Sequence, residues 1–140
     1  MKEERLRYLI DEISKMTEEI EKKMNLPDSQ ILADYDILSS LKFSLLRAIQ
    51  DSIDACMYLS SLKKFKAPGS YKQCFLNLIK EGLLDEELGN NLSKMASFRN
   101  LIIHRYWVVD DSQILEMLRS GGIEDIKKFK DKLIEVLENQ

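Results

Sequence analysis

The sequence predicts an all-α fold, an up-and-down four-helix bundle with extra short helices towards its C-terminal end. Three observations predict it. Apolar residues recur at intervals of three and four through most of the chain, the spacing that lays one stripe along a helix. No stretch alternates steadily between apolar and polar residues, and no Asn-Gly or Asp-Gly pair marks a hairpin. Short breaks at "NLPDSQ", "KAPGS" and "SGG" separate the periodic segments, which favours antiparallel neighbours.

The first helix spans residues 2–24, where Leu6, Leu9, Ile13, Met16, Ile20 and Met24 form the stripe and Glu and Lys fill the other faces. Pro27 ends it, because proline lacks a backbone N–H and disfavours helical geometry in the residue before it. A longer helix starts somewhere in 29–34 and runs to about residue 65, with Leu38, Leu41, Leu45, Ile49, Ile53, Cys56 and Leu59/Leu62 facing inward. Ser70 can cap a third helix over about 71–81, with Gly82 at its C-terminal end. Asp85 can cap a fourth that carries Leu88, Leu92, Met95, Phe98 and Ile102 inward. "SGG" at 120–122 divides a short helix near 112–119 from a last amphipathic one over about 123–138.

A chain of 140 residues with 44% hydrophobic and 32% charged residues is a globular domain, here one domain over 1–140. No apolar run approaches the ~20 residues of a membrane span. The charged start "MKEERLRYLIDE" does not resemble a signal peptide, so a cytoplasmic location is expected. Cys56 and Cys74 read as two buried free thiols rather than a metal pair or a disulfide. Net charge is −3, yet residues 55–80 hold five Lys and no acid. Residues 88–109 hold Lys94, Arg99 and Arg105, again without an acid. Such segregation can give an acidic protein a local site for a polyanion.

The segment with the most chemistry is "RNLIIHRY" at 99–106, which contains the only His. On an ideal helix Asn100 and His104 share a face. Arg99 and His104 lie about 140° apart, so they converge only if the Arg side chain sweeps round or the helix distorts. Arg99 and Tyr106, seven residues apart, would align, with Ile102 and Ile103 filling the opposite side. A guanidinium fork suits a phosphate, and an imidazole passes protons near neutral pH. Together they suit attack of a ribose 2′-OH on its own phosphodiester, which needs proton transfer and stabilisation of an anionic phosphorane. The plainer reading is a His and an Arg that only link helices.

No cluster of carboxylates, His or Cys suggests a metal site. "DYD" at 34–36 reads as a solvated helix start. On the second helix Arg47, Gln50 and Asp54 form a polar line. Asp54 can orient His104, pair with Arg99, pair with Arg47, or stand exposed. Tyr58 and Trp107 read as packing or interface residues rather than base-stacking platforms.

The pattern Arg-Asn-x-x-x-His-x-Tyr resembles the motif of the HepT-like branch of the HEPN superfamily, and "RNLIIHRY" matches it in full. "AIQDSIDACMYL" resembles that branch's second helix, and "GSYKQCFLNLIKEGLLDEELGNNLSKMASFRN" its usual approach to the motif, so the likeness covers about residues 35–140. The resemblance implies a helical-bundle homodimer acting as a metal-independent endoribonuclease on RNA such as tRNA or mRNA, without a cofactor. It implies the toxin of a type VII-like toxin–antitoxin pair, whose partner is a small nucleotidyltransferase antitoxin of the MntA type. By that resemblance Arg99 and His104 are catalytic, Asn100 orients them, and Tyr106 accepts AMP. The alternative is a non-catalytic HEPN module that binds a nucleotide or partners a nucleotidyltransferase.

Overall fold

The computed structural model describes residues 2–139, and within them the chain is helical without a strand. Seven α-helices follow in order: α1 (Lys2–Met24), α2 (Asp28–Ala33), α3 (Tyr35–Leu62), α4 (Tyr71–Lys80), α5 (Glu86–His104), α6 (Asp111–Met117) and α7 (Ile123–Glu138). A 3₁₀ turn, Tyr106–Val108, follows α5. The expected all-α bundle is present, and α7 lies within it, packed on α1 and touching α3 and α5.

The sequence signals act where cap chemistry is local. The Ser70 hydroxyl accepts the Gln73 N–H at 3.0 Å and starts α4. Asp85 accepts the Leu88 N–H at 2.7 Å and starts α5. Gly82 (φ 77°) and Gly121 (φ 114°) take the left-handed conformation that ends α4 and separates α6 from α7. The long second helix begins at the late end of its expected range, and a separate short helix that was not expected, α2, precedes it. Asp34 separates the two, because its carboxylate accepts the N–H groups of Asp36 and Ile37 and caps α3 while its own backbone is extended. That places "DYD" at an exposed helix start, as expected.

One core unites the helices, with Ile13, Ile20, Leu45, Ile53, Leu78 and Phe129 fully buried. Phe75 of α4 meets Phe129 of α7 edge-on at 5.5 Å. Cys56 and Cys74 are free and buried in this core. At Gly89 an added Cβ would collide with the Ile79 side chain, so the glycine allows α5 to lie close along α4. That approach brings Tyr71, at the start of α4, to Arg99, near the end of α5. Beyond α5, Lys42–Asp111 (2.6 Å) ties α6 to α3. Arg119 donates to Asp28 and to the carbonyls of Met24 and Leu26, fixing the α6–α7 turn to the end of α1. None of the described helices is long and apolar enough to cross a membrane.

Between α1 and α3, Arg47 bridges Glu12 (2.8 Å) and the buried Asp51 (3.4 Å). Burial pushes the Asp51 carboxyl up to about 6, with Arg47 pulling it back and Glu12 and Asp54 adding to the rise. The folded state therefore binds this proton more tightly than the unfolded chain. Its stabilising effect appears as pH falls through about 6 towards 4, and the cost of the buried charge is complete above that range. Asp51→Asn is expected to melt higher than the parent at pH 8, with the gap closing near pH 4. A lower melting point at pH 8 would mean that pairing with Arg47 outweighs desolvation.

Candidate functional site

α5 turns its apolar stripe, Leu88, Leu92, Met95 and Ala96, into the core through its first three turns. Over its last turns Asn100, Leu101, Ile103 and His104 are exposed and Arg99 is half-buried. The helix stops at Arg105, whose N–H bonds Leu101 O at 2.8 Å while its φ of −141° leaves the helical region. Tyr106 therefore stands outside α5, and the seven-residue alignment with Arg99 does not form. Ile103 is a second correction. It is 42% exposed and lies beside Arg99, while Ile102 is the residue that packs against the core.

Arg99 is held on two sides. Its Nη1 donates to Asn100 Oδ1 at 2.9 Å, and its guanidinium carbon lies over the Tyr71 ring, 5.8 Å from the centroid. Asn100 is one residue round from Arg99 and about 40° from His104 on an ideal helix, so this bond turns the guanidinium towards the His104 side. His104 is exposed and its side chain makes no hydrogen bond within the chain. Arg99 and His104 share no hydrogen bond; both lie in the last turns of α5.

A cleft of about 240 Å³ opens beside Arg99, lined by Phe43, Leu46, Arg47 and Gln50 of α3 and by Arg99 and Ile103 of α5. Phe43 is 62% exposed, so an apolar strip borders the guanidinium. Among the described residues three buried side-chain polar atoms have no hydrogen-bond partner: Gln50 Oε1, Asp51 Oδ2 and Arg99 Nε. Gln50 and Arg99 both line this cleft. Asp54 makes none of its foreseen pairings. It is half-buried, accepts from Gln50 Nε2 at 2.8 Å, and reaches neither Arg99, His104 nor Arg47, because Arg47 turns to α1.

After α5 the chain carries Tyr106, 72% exposed, edge-on to Trp107 at 5.5 Å. Trp107 is 66% exposed, whereas Tyr58 is half-buried against the core. Among the described residues no three His, Cys, Asp or Glu gather where they could hold a metal ion.

Residues 10–133 match the family model described as ribonuclease HepT-like. The chain belongs to the ribonuclease HepT-like family. It is 25% identical over 103 residues to the mRNA nuclease HepT of Shewanella oneidensis, covering 74% of this chain and 77% of that one. Its fold is similar to that of a tri-AMPylated Shewanella oneidensis HEPN toxin in complex with an MNT antitoxin. There the TM-score is 0.83 and identity 23%, with 94% of this chain and 97% of that one covered. It is also similar to YutE of Bacillus subtilis, described as a cytosolic protein of unknown function. The TM-score is 0.74 and identity 18%, with 92% and 90% covered.

In this HepT-like chain, sequence reasoning missed Tyr71 as a partner of Arg99. The two are 28 positions apart, and only the close α4–α5 packing joins them. The available signal was the aromatic residue directly after a helix cap, on a face that the apolar stripe leaves free.

Proposed function

We propose that this HepT-like protein is an endoribonuclease toxin that cleaves single-stranded or tRNA-like RNA without a metal ion, at a cleft shared by two copies. The observation that carries this reading is a guanidinium held by Asn100 and lying over the Tyr71 ring, at the same exposed helix end as an unencumbered imidazole.

His104 takes the proton of a ribose 2′-OH as its oxygen attacks the adjacent phosphorus. Negative charge grows on the non-bridging oxygens, and Arg99 stabilises it. The bond from phosphorus to the 5′ oxygen breaks, and a protonated imidazole supplies the leaving oxygen with its proton. The products are a 2′,3′-cyclic phosphate and a 5′-hydroxyl. One His per chain cannot be base and acid at once, so a second copy supplies the other imidazole. The exposed Phe43 and Ile103 give the α3–α5 face the apolar character of an interface. Phe43→Glu is expected to shift sedimentation from about twice 16.3 kDa to the single mass and to lower cleavage with it. An unchanged mass and rate would remove the shared cleft.

The partner proposed is a nucleotidyltransferase antitoxin of the MntA type. It moves AMP from ATP to Tyr106: the phenol oxygen bonds the α-phosphorus, its proton is lost, and pyrophosphate leaves. The exposure of Tyr106 on the turn directly after His104 supports this role. Asn100 orients Arg99, and Asp54 acts in support.

A further inference from the structure

The support from Asp54 has a route that neither its spacing nor its family resemblance gives. Gln50 Nε2 donates to Asp54 Oδ1 at 2.8 Å, one turn along α3. A carboxylate accepts only, so this bond fixes which end of the amide is nitrogen. The carboxamide oxygen must then face the other way. It is buried and has no partner. Across the cleft Arg99 keeps a buried donor without an acceptor: Nη1 bonds Asn100, the guanidinium carbon lies over the Tyr71 ring, and the buried Nε has no partner. An orphan acceptor and an orphan donor thus line one cleft, and leaving both buried and unmade is costly where joining them is not.

We infer that Gln50, held by Asp54, is the positioning residue of Arg99, its carboxamide oxygen accepting from the Arg99 Nε–H. Both side chains line the same cleft of about 240 Å³, which leaves space for them to turn towards each other. With Nε on Gln50 and Nη1 on Asn100, the fork is fixed in plane and direction, and the Nη2 hydrogens remain for a phosphate oxygen. Asp54 then acts on the site only through Gln50. The catalytic consequence rests on the ribonuclease reading above; the positioning does not.

The test reads the two apart. In ¹H–¹⁵N spectra of the full chain, the Arg99 Nε–H signal, assigned by its loss in Arg99→Lys, is expected to exchange slowly with water. Gln50→Leu should speed that exchange, Asp54→Ala should speed it partly, and the double variant should go no further than Gln50→Leu. Gln50→Glu keeps an acceptor and should retain slow exchange. In RNA cleavage, Gln50→Leu is expected to lower kcat on the order of 10–100-fold with little change in KM, and Gln50→Glu to recover much of it. Equal exchange at Arg99 Nε in the parent and Gln50→Leu overturns the inference. The expected exchange pattern in a protein that cleaves no RNA supports the positioning and overturns the ribonuclease reading instead.

Discussion

Replacing His104 by alanine is expected to lower RNA cleavage by on the order of 10²–10³-fold while leaving the melting temperature where it was. The rate falls because no other imidazole exists in the chain to accept the 2′-OH proton. Stability stays within about 0.5 kcal/mol because the ring is exposed and bonds nothing in the fold. Arg99→Ala should cost a similar factor in rate, with about 0.5–1 kcal/mol of stability lost from the cation–π contact with Tyr71. Arg99→Lys keeps the charge but loses the planar fork, so it should remain far below the parent. Single-turnover cleavage of a labelled RNA, with CD melting of each variant, checks all three. Full activity in His104→Ala would place the proton transfer elsewhere.

Tyr106→Phe is expected to keep cleavage and lose silencing. A phenol 72% exposed and edge-on to Trp107 contributes little to the fold, so removing its hydroxyl should leave structure and rate intact. AMP attached there would place a bulky anion directly after His104, where RNA phosphates must approach, and block them by size and by like charge. The exposed Arg105 beside it offers that phosphate a cation. Co-expression with the cognate nucleotidyltransferase should therefore add one or more AMP units to the parent chain and none at position 106 of the variant. An antitoxin that neutralises an unmodified Tyr106 would work by binding alone.

Where a signal is local, the fold was legible. Ser70, Asp85, Gly82 and Gly121 each do at their own position what cap and turn chemistry demands. The break at Asp34 was not, because Ile31 and Leu38 keep the apolar stripe going across it and mask the cap. The end of α5 was hidden for a related reason. No Gly or Pro follows His104, so the heptad relation from Arg99 to Tyr106 looked continuous until Arg105 turned out of the helix. Asp54 was visible as polar on a buried helix, but its partner depended on Arg47. Glu12 of α1 draws Arg47 away, which leaves Gln50 to Asp54. Such choices among neighbours are settled by tertiary packing and leave no trace in spacing.

Incubating the purified chain with RNA in excess EDTA tests the central claim most directly. Cleavage is expected to proceed undiminished in the parent, to leave 2′,3′-cyclic phosphate and 5′-hydroxyl ends, and to be lost in His104→Ala. Cleavage that appears only on adding a divalent ion, or that leaves 5′-phosphate ends, would contradict an imidazole-driven transesterification at Arg99 and His104.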